Sequence, residues 1–329
     1  MPHFGPADVG SRVSVRVHAP EAVYPDGRPR FRDVVGTLVS LDDLVWRVRR
    51  RDGSEVSIAP DSVVAARTVP EAPTRLRHAV DIDTPTLEQV AAAGWQPLES
   101  EPLGGWVLRA ANGFTGRANS VLALADPGCD WPTAFARVAH WYRERQLVPT
   151  VQVALPWAQA LDERLAAAGW VAETPVRVQV VDLAAGLMAD GRPEGLPPVT
   201  FADRPSQEWT SVYRYAGAPL PPGAHDVLTR AEHPVFALVT EPGDPPTAVA
   251  IGRGALTPGW LGITAIDVAE PARRRGLGRH VVRALLVHAQ QHGARFAYLQ
   301  VAEDNLPAQS LYQRFGFVDH HRYHYRRLR

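Results

Sequence analysis

Lysine does not occur in this chain: all 35 basic residues are arginine. A P-loop needs a lysine after its second glycine, so that nucleotide site is excluded. Cysteine occurs once, as Cys129, which rules out an intramolecular disulfide framework. With no C-x-x-C and no cysteine–histidine cluster there is no zinc site to build, and Cys129 is expected to serve as a small buried hydrophobe. An excess of charge of one sign is missing too, because 35 acidic residues balance the 35 basic ones. A formal charge of zero gives no bulk attraction to nucleic acid or to an acidic membrane, so electrostatic function must be local. No apolar run approaches the roughly 18 residues of a membrane span, and the opening "MPHFGPADVG" lacks the charged and apolar regions of an export signal. The expectation is a cytoplasmic protein.

What is present is enough chain, 329 residues, for two or three domains with substantial cores. Residues 11–70 hold "RVSVRVHAP", "DVVGTLVSL", "LVWRVRR" and "EVSIAP", alternating runs separated by turn signals such as Asp26-Gly27 and Asp52-Gly53. That pattern predicts a small antiparallel barrel, similar to a Src-homology-3-like barrel. Arg47, Arg49, Arg50 and Arg51 share this segment with several acids and read as a solvated strand face rather than a nucleic-acid patch. Proline-rich, non-periodic stretches at 68–78 and 184–200 predict linkers. The domains expected are therefore 1–72, 79–190 and 196–329.

The last two segments share a rhythm. In the middle one the strand "TVQVAL", the helix "LDERLAAAGW" and the strand "RVQVVDL" follow a helix; in the last, "FAYLQVA", "AQSLYQRFGF" and "HRYHYRRL" follow the helix "HVVRALLVHAQQHG". Setting Gly169-Trp170 over Gly316-Phe317 brings the flanking elements into register, so two copies of one α+β unit are expected.

The stretch "EPARRRGLGRHVVRALL", residues 270–286, packs three arginines against Gly-Leu-Gly and runs into an apolar-periodic helix. A helix start offers unpaired main-chain N–H groups and the positive end of the dipole, and Gly276 and Gly278 keep side chains out of an anion's way. Leu277, Val281, Leu285 and Ala289, with Val282 and Leu286, predict the face that anchors this helix on a sheet. The preceding "LGITAIDV" reads as a buried strand. A dinucleotide fingerprint is excluded because position 281 is not the required third glycine. Arg273-x-x-Gly276-x-Gly278 opening a helix resembles the pyrophosphate motif of the GNAT superfamily of acetyl-CoA-dependent N-acyltransferases. Downstream, "VAEDNLPAQSLYQRFGF" resembles its second cofactor motif, with Asn305, Ala308, Tyr312 and Gly316-Phe317 in order. The layout is similar to an actinobacterial GNAT type labelled histone-acetyltransferase-like. The implied fold is a mixed central sheet flanked by helices, in tandem with a degenerate copy and preceded by the barrel. The resemblance places acetyl-CoA against Ile266, Val268, Arg273, Arg274, Arg275, Gly276, Leu277, Gly278, Arg279, Asn305, Ala308 and Tyr312, with no metal.

Acetyl transfer to an amine needs a base, since an alkyl ammonium titrates at about pH 10. Asp267 is the carboxylate on the cradle strand and Glu270 follows at the turn. Asp267 is the preferred base, directly or through water; its other reading is to hold the strand or orient substrate. Histone-modifying members of the superfamily carry a glutamate earlier on this strand, at the position of Gly262 here, a departure that counts against a histone substrate. The resemblance further implies the main-chain N–H of Val268 as oxyanion donor and Tyr312 as the acid that protonates the departing thiolate. Tyr312 could alternatively pack between Leu311 and Phe315. Asn305, ahead of Leu306-Pro307, suits both a helix cap and a cofactor contact.

The middle copy has "DPGCDWPTA" where the last has "EPARRRGLG", and Leu165 where the last has Tyr312, so it is expected to be inactive. Its loop "GFTGRANS", with Arg117 and Asn119, either faces the acceptor site or forms a plain turn. His288 and His292 lie four apart but flank the apolar stripe, which favours packing over metal binding. The terminal "DHHRYHYRRLR" reads as an edge strand whose arginines and histidines face phosphate or water. The reading is an N-acetyltransferase acting by direct transfer, with acetyl-CoA and an amine as partners; a silent CoA-binding scaffold is the rival. Neither membrane nor nucleic acid is called for, and the oligomeric state stays open.

Overall fold

The computed structural model describes residues 4–5, 8–23, 29–50, 53–69, 78–188, 195–213 and 220–329. The Asp26-Gly27 turn, Arg51, Asp52, most of the first predicted linker and residues 189–194 of the second lie outside that set. Two compact units result, Met1–Arg77 and His78–Arg329.

The first unit is a five-stranded antiparallel sheet of β1 (Arg12–Val23), β2 (Pro29–Leu41), β3 (Trp46–Arg49), β4 (Glu55–Ile58) and β5 (Val63–Thr68), in the order β4-β3-β2-β1-β5. Alternation decides its core: Val13, Val15 and Val17 of β1 point inward with Val34, Leu38, Trp46, Val48 and Ile58. On the outer face Arg16 pairs with Asp33 at 2.7 Å and Arg49 with Glu55 at 2.9 Å, so Arg49 belongs to a solvated, charge-balanced strand.

The second unit runs α1 (Thr84–Gly94), β6 (Glu99–Leu103), β7 (Trp106–Ala110), β8 (Val121–Ala123), α2 (Trp131–Glu144), β9 (Thr150–Leu155), α3 (Gln159–Ala167), β10 (Val171–Ala172), β11 (Val176–Asp182) and α4 (Leu183–Met188). It continues with β12 (Val199–Ala202), α5 (Gln207–Val212), α6 (Ala224–Thr229), β13 (His233–Glu241), β14 (Thr247–Thr257), β15 (Trp260–Val268), α7 (Leu277–Gln291), β16 (Phe296–Ala302), α8 (Leu306–Gln313) and β17 (Val318–Arg327). Its strands form one mixed sheet, β12-β13-β14-β15-β16-β11-β17-β9-β8-β7-β6, with β10 beside β17. The stripe Leu277, Val281, Val282, Leu285, Leu286 and Ala289 lays α7 onto this sheet, all six buried in one core.

The internal repeat is structural. β8 and β9 are parallel neighbours joined through α2, as β15 and β16 are through α7. The helices that follow end alike: Trp170 N–H donates to the Leu165 carbonyl at 2.9 Å and Phe317 N–H to the Tyr312 carbonyl at 3.3 Å, after Gly169 (φ 84°) and Gly316 (φ 75°). Leu165 thus occupies the place of Tyr312 and is buried in the core of the first copy.

Three expectations need correction. The two halves exchange their last strands, β11 lying against β16 and β17 between β11 and β9, so the terminal strand is interior rather than an edge. Three of its polar side chains reach carboxylates of the first half: His321 meets Glu88 at 2.7 Å, His324 meets Asp162 at 2.5 Å, and Arg326 holds Asp162 at 2.8 Å through both Nε and Nη2. These three therefore face neither phosphate nor water and tie the halves together, whereas Arg322 and Arg329 are exposed as expected. The start of the predicted second linker is helical, since α4 (Leu183–Met188) runs into it and its Leu187 packs against the α7 core. Cys129 is only half-buried at the edge of the first copy's core. Among the described residues no helix is long and apolar enough to cross a membrane.

Candidate active site

β15 pairs with β16 only from Trp260 to Ile263, opposite Phe296 to Leu299, and beyond that point the two strands part. On its other edge β15 stays with β14, but the register shifts between the pairs Ile251–Asp267 and Arg253–Thr264. The extra residue is a bulge at Ala265–Ile266, and Ala265 adopts a left-handed φ of 52° that a side chain disfavours. Strain at the point of divergence is typical of a functional site. Past the bulge, Ile266 and Val268 pack toward α7, so alternation turns Asp267 to the opposite face.

The turn from β15 into α7 places a left-handed glycine at the start of the helix. Gly276 caps the helix with φ 84°, and a Cβ there would meet no atom within 4 Å, so open space lies in front of it. The first helical bond runs from His280 N–H to the Gly276 carbonyl at 3.0 Å, which leaves the N–H groups of Leu277 and Gly278 ahead of the helical ladder. Gly278 sits between Val268 and Leu311, each 3.7 Å from where its Cβ would be, bringing strand, cradle and α8 together. Arg273, Arg274 and Arg275 are exposed and Arg279 is half-buried on the first turn. Arg273 Nε donates to the Val268 carbonyl at 3.2 Å and ties turn to strand, and Arg274 takes φ 63°. Arg275 pairs with Glu241 on β13, so among the described residues its charge is the one of the three held in an ion pair.

Tyr312 lies in the same core as Leu277, with Ile266, Val268, Ala308 and Leu311 packed around it. Burial pushes its phenol up to about 12, and among the described residues its hydroxyl has no hydrogen-bond partner. It is a protonated donor at neutral pH. Asn305 caps α8, its Oδ1 accepting from Ala308 N–H at 3.2 Å, so the capping role is realised and that N–H is occupied. Asp267 Oδ1 accepts from the N–H of Val268 at 2.8 Å, so the carboxylate covers the donor that the resemblance gives to the oxyanion. Glu270 is exposed at the turn.

On the face opposite α7 the structure gathers residues that sequence reasoning passed over. Tyr298 of β16 is 4% exposed, and burial pushes its phenol up to about 12. A Cβ at Gly262 would sit 2.3 Å from its Oη and one at Gly94 2.4 Å, so the phenol fills the space where a glutamate at 262 would project. Arg253 of β14 is fully buried, donating from Nε to the Leu228 carbonyl at 2.7 Å and from Nη2 to the Gly94 carbonyl at 3.2 Å. A lone arginine inside "AVAIGRGAL" was the available sequence signal. In the loop "GFTGRANS", Arg117 Nη1 donates to Gln300 Oε1 of β16 at 3.0 Å, so this loop faces the last half. Asn119 folds it, bonding the N–H groups of Ala111 and Gly113 and the carbonyls of Phe114 and Thr115.

The first copy's helix start is closed by its own carboxylate: Asp130 Oδ1 accepts from Thr133 N–H at 2.9 Å, which holds the Asp130 carboxyl below its ordinary range. His288 and His292 stack with centroids 4.1 Å apart in a cleft of about 930 Å³ at the far end of α7, away from the cradle.

Comparison with known proteins agrees with this geometry. Residues 82–326 match the family described as "Probable histone acetyltransferase Rv0428c C-terminal", and residues 7–67 the "Rv0428c N-terminal Sm-like domain", so Sm-like is the more specific description of the small barrel. The "Probable histone acetyltransferase Rv0428c" of Mycobacterium tuberculosis is 30% identical over 326 residues, covering 96% of this chain and 94% of that one. The "Uncharacterized N-acetyltransferase YobR" of Bacillus subtilis is 28% identical over 248 residues, 74% of this chain and 98% of its own. A GCN5-related N-acetyltransferase from Kribbella flavida shares the fold with a TM-score of 0.53 at 17% identity, over 74% of this chain and 94% of its own. A tandem GNAT protein from the clavulanic acid biosynthesis pathway does so with a TM-score of 0.50 at 16% identity, over 74% and 87%. The parted strands, the glycine cradle, the duplicated sheet and these matches converge: this chain belongs to the Rv0428c family of GNAT-type acetyltransferases.

Proposed function

We propose that the last half of the chain moves an acetyl group from acetyl-CoA to a primary amine within one ternary complex. The observation that carries this is the strand parting after Ile263 beside a helix start with an open glycine, Gly276. Arg273, Arg274 and the N–H groups of Leu277 and Gly278 would hold the pyrophosphate. Asp267, turned to the face opposite Tyr312, takes the amine proton, directly or through water. The amine nitrogen then bonds to the thioester carbon, the C–S bond breaks, and Tyr312 gives its proton to the sulfur. When Asp267 swings from Val268 N–H to the amine, the same rotation frees that N–H for the oxyanion. The silent CoA-binding scaffold remains the second reading, favoured by that N–H being covered in this structure.

Calorimetric titration of acetyl-CoA into wild type, Gly276→Glu and Gly276→Asn tests the cradle. Asparagine tolerates the left-handed φ and carries no charge, so it should retain most binding, whereas glutamate should abolish it. Binding that survives Gly276→Glu refutes the cradle. Binding without turnover on any amine selects the scaffold.

A further inference from the structure

Two guanidinium groups stand at the parting of β15 and β16, and among the described residues no carboxylate pairs with either. Arg253 reaches Thr264 Oγ1 at 3.4 Å and Arg117 reaches Gln300 Oε1 at 3.0 Å. Thr264 and Gln300 are the first residues beyond the last parallel pair, Ile263–Leu299. Leu299 packs toward α7, as does Ile263, so Thr264 and Gln300 alternate to the other face, the one Asp267 shares. Both guanidinium groups lie over the Trp95 ring, Arg117 at 4.7 Å and Arg253 at 4.8 Å from its centroid. Among the described residues neither forms an ion pair, and Arg253 loses stability as a cation to burial first and to the charge of Arg117 after it. The buried carboxylate of the region, Glu88, is already held by His321 at 2.7 Å and Gln152 at 2.6 Å. Burial lowers Arg253 only to about 10, so it stays charged at neutral pH.

A buried guanidinium without a counter-ion is costly, and a bound anion removes that cost. We propose that the amine acceptor carries a carboxylate close to its nucleophilic nitrogen, as a free amino acid does, and that Arg117 holds that carboxylate with Arg253 supplying supporting charge. This rests on the acetyl-transfer reading above. Arg117 is the half-buried member and the one with donors to spare; Arg253 is sealed and acts through the field it adds. The same cations lower the acceptor ammonium's affinity for its proton and so help Asp267. A lysine side chain in a polypeptide has no carboxylate near its nitrogen, and a tail rich in lysine would meet like charge here.

The test compares free amino acids with their decarboxylated amines and with a lysine-rich peptide, using acetyl-CoA and the full chain. The wild type should acetylate at least one amino acid with kcat/KM about tenfold or more above its decarboxylated partner and above the peptide, the scale of one charge-assisted hydrogen bond. Arg117→Gln should pull that ratio toward one through KM rather than kcat, while Arg117→Lys keeps a preference for the carboxylate; retained acetyl-CoA affinity shows that each variant is folded. The proposal is overturned if acetyl-CoA binds but no amino acid is acetylated, if the decarboxylated amine or the peptide is the better acceptor, or if Arg117→Gln leaves the ratio unchanged. Failure of the wild type to bind acetyl-CoA would instead remove the acetyl-transfer reading itself.

Discussion

Gly262 is where the structure makes its sharpest demand on a single atom. A Cβ there would lie 2.3 Å from Tyr298 Oη, 2.5 Å from Cζ and 3.0 Å from Cε1. The ring cannot retreat easily: its Oη is backed by Gly94, 2.4 Å from that glycine's own would-be Cβ, and Trp260 packs at 6.2 Å centroid to centroid. Gly262→Ala is therefore an overpacking substitution and should destabilise by about 2–3 kcal/mol, the upper part of the range for an extra methyl in a filled core. In a unit of this size each kcal/mol lowers Tm by about 2–4 °C, so a fall of about 4–12 °C is expected. Tyr298→Ala alone should cost about 3–5 kcal/mol through its cavity. The double variant should be no worse than Tyr298→Ala, because the methyl then enters empty space, which gives a coupling of about 2 kcal/mol in a double-mutant cycle. Thermal and urea unfolding of the four proteins measure it. If Gly262→Ala lies within about 0.5 kcal/mol of wild type, or if the two losses simply add, Tyr298 does not close this position.

Three further outcomes follow from the same geometry. Tyr312→Phe should lower kcat by about a hundredfold with acetyl-CoA affinity retained, and an unchanged kcat removes Tyr312 from the chemistry. Asp162→Asn should destabilise by about 3 kcal/mol at neutral pH, because Arg326 and His324 lose their buried partner. Hydrogen bonding from Arg326 first, then His324, holds the Asp162 carboxyl below its ordinary range. Its stabilisation is thus complete above the unfolded carboxyl value of about 4 and disappears as pH falls through the lower folded value. The stability gap between wild type and Asp162→Asn should accordingly close in acid, and a gap that stays constant down to pH about 3 would contradict the ion pair. Asp130→Ala should cost about 1 kcal/mol as a lost cap and leave acetyl-CoA stoichiometry at one per chain; a second site would mean that the first copy is closed by nothing more than this carboxylate.

Local chemistry was legible in the sequence wherever it is carried by neighbours along the chain. The α7 stripe, the glycines of the cradle, the cap at Asn305 and the shared helix endings at Gly169 and Gly316 are all set by residues within a few positions of one another. Periodicity and turn chemistry act over that range, so the duplicated unit, the barrel and the helix start could be read directly. Which strand lies beside which was not so readable. β17 alternates polar and aromatic residues like an edge strand, yet Glu88 and Asp162, more than 150 residues away, pair its charges and draw it into the interior between the two halves. The face opposite α7 depends on the same kind of long-range meeting. Arg117, Trp95, Arg253 and the β16 pair Tyr298 and Gln300 come from four separate elements or loops, and no spacing along the chain links those four. Sequence alone determined the glycine helix start at Gly276 and the place of Tyr312 on the helix that follows the next strand. What stands on the face opposite α7 was decided only when strand exchange and packing brought distant side chains into contact, because hydrogen bonds and charge pairing act through space and ignore chain order.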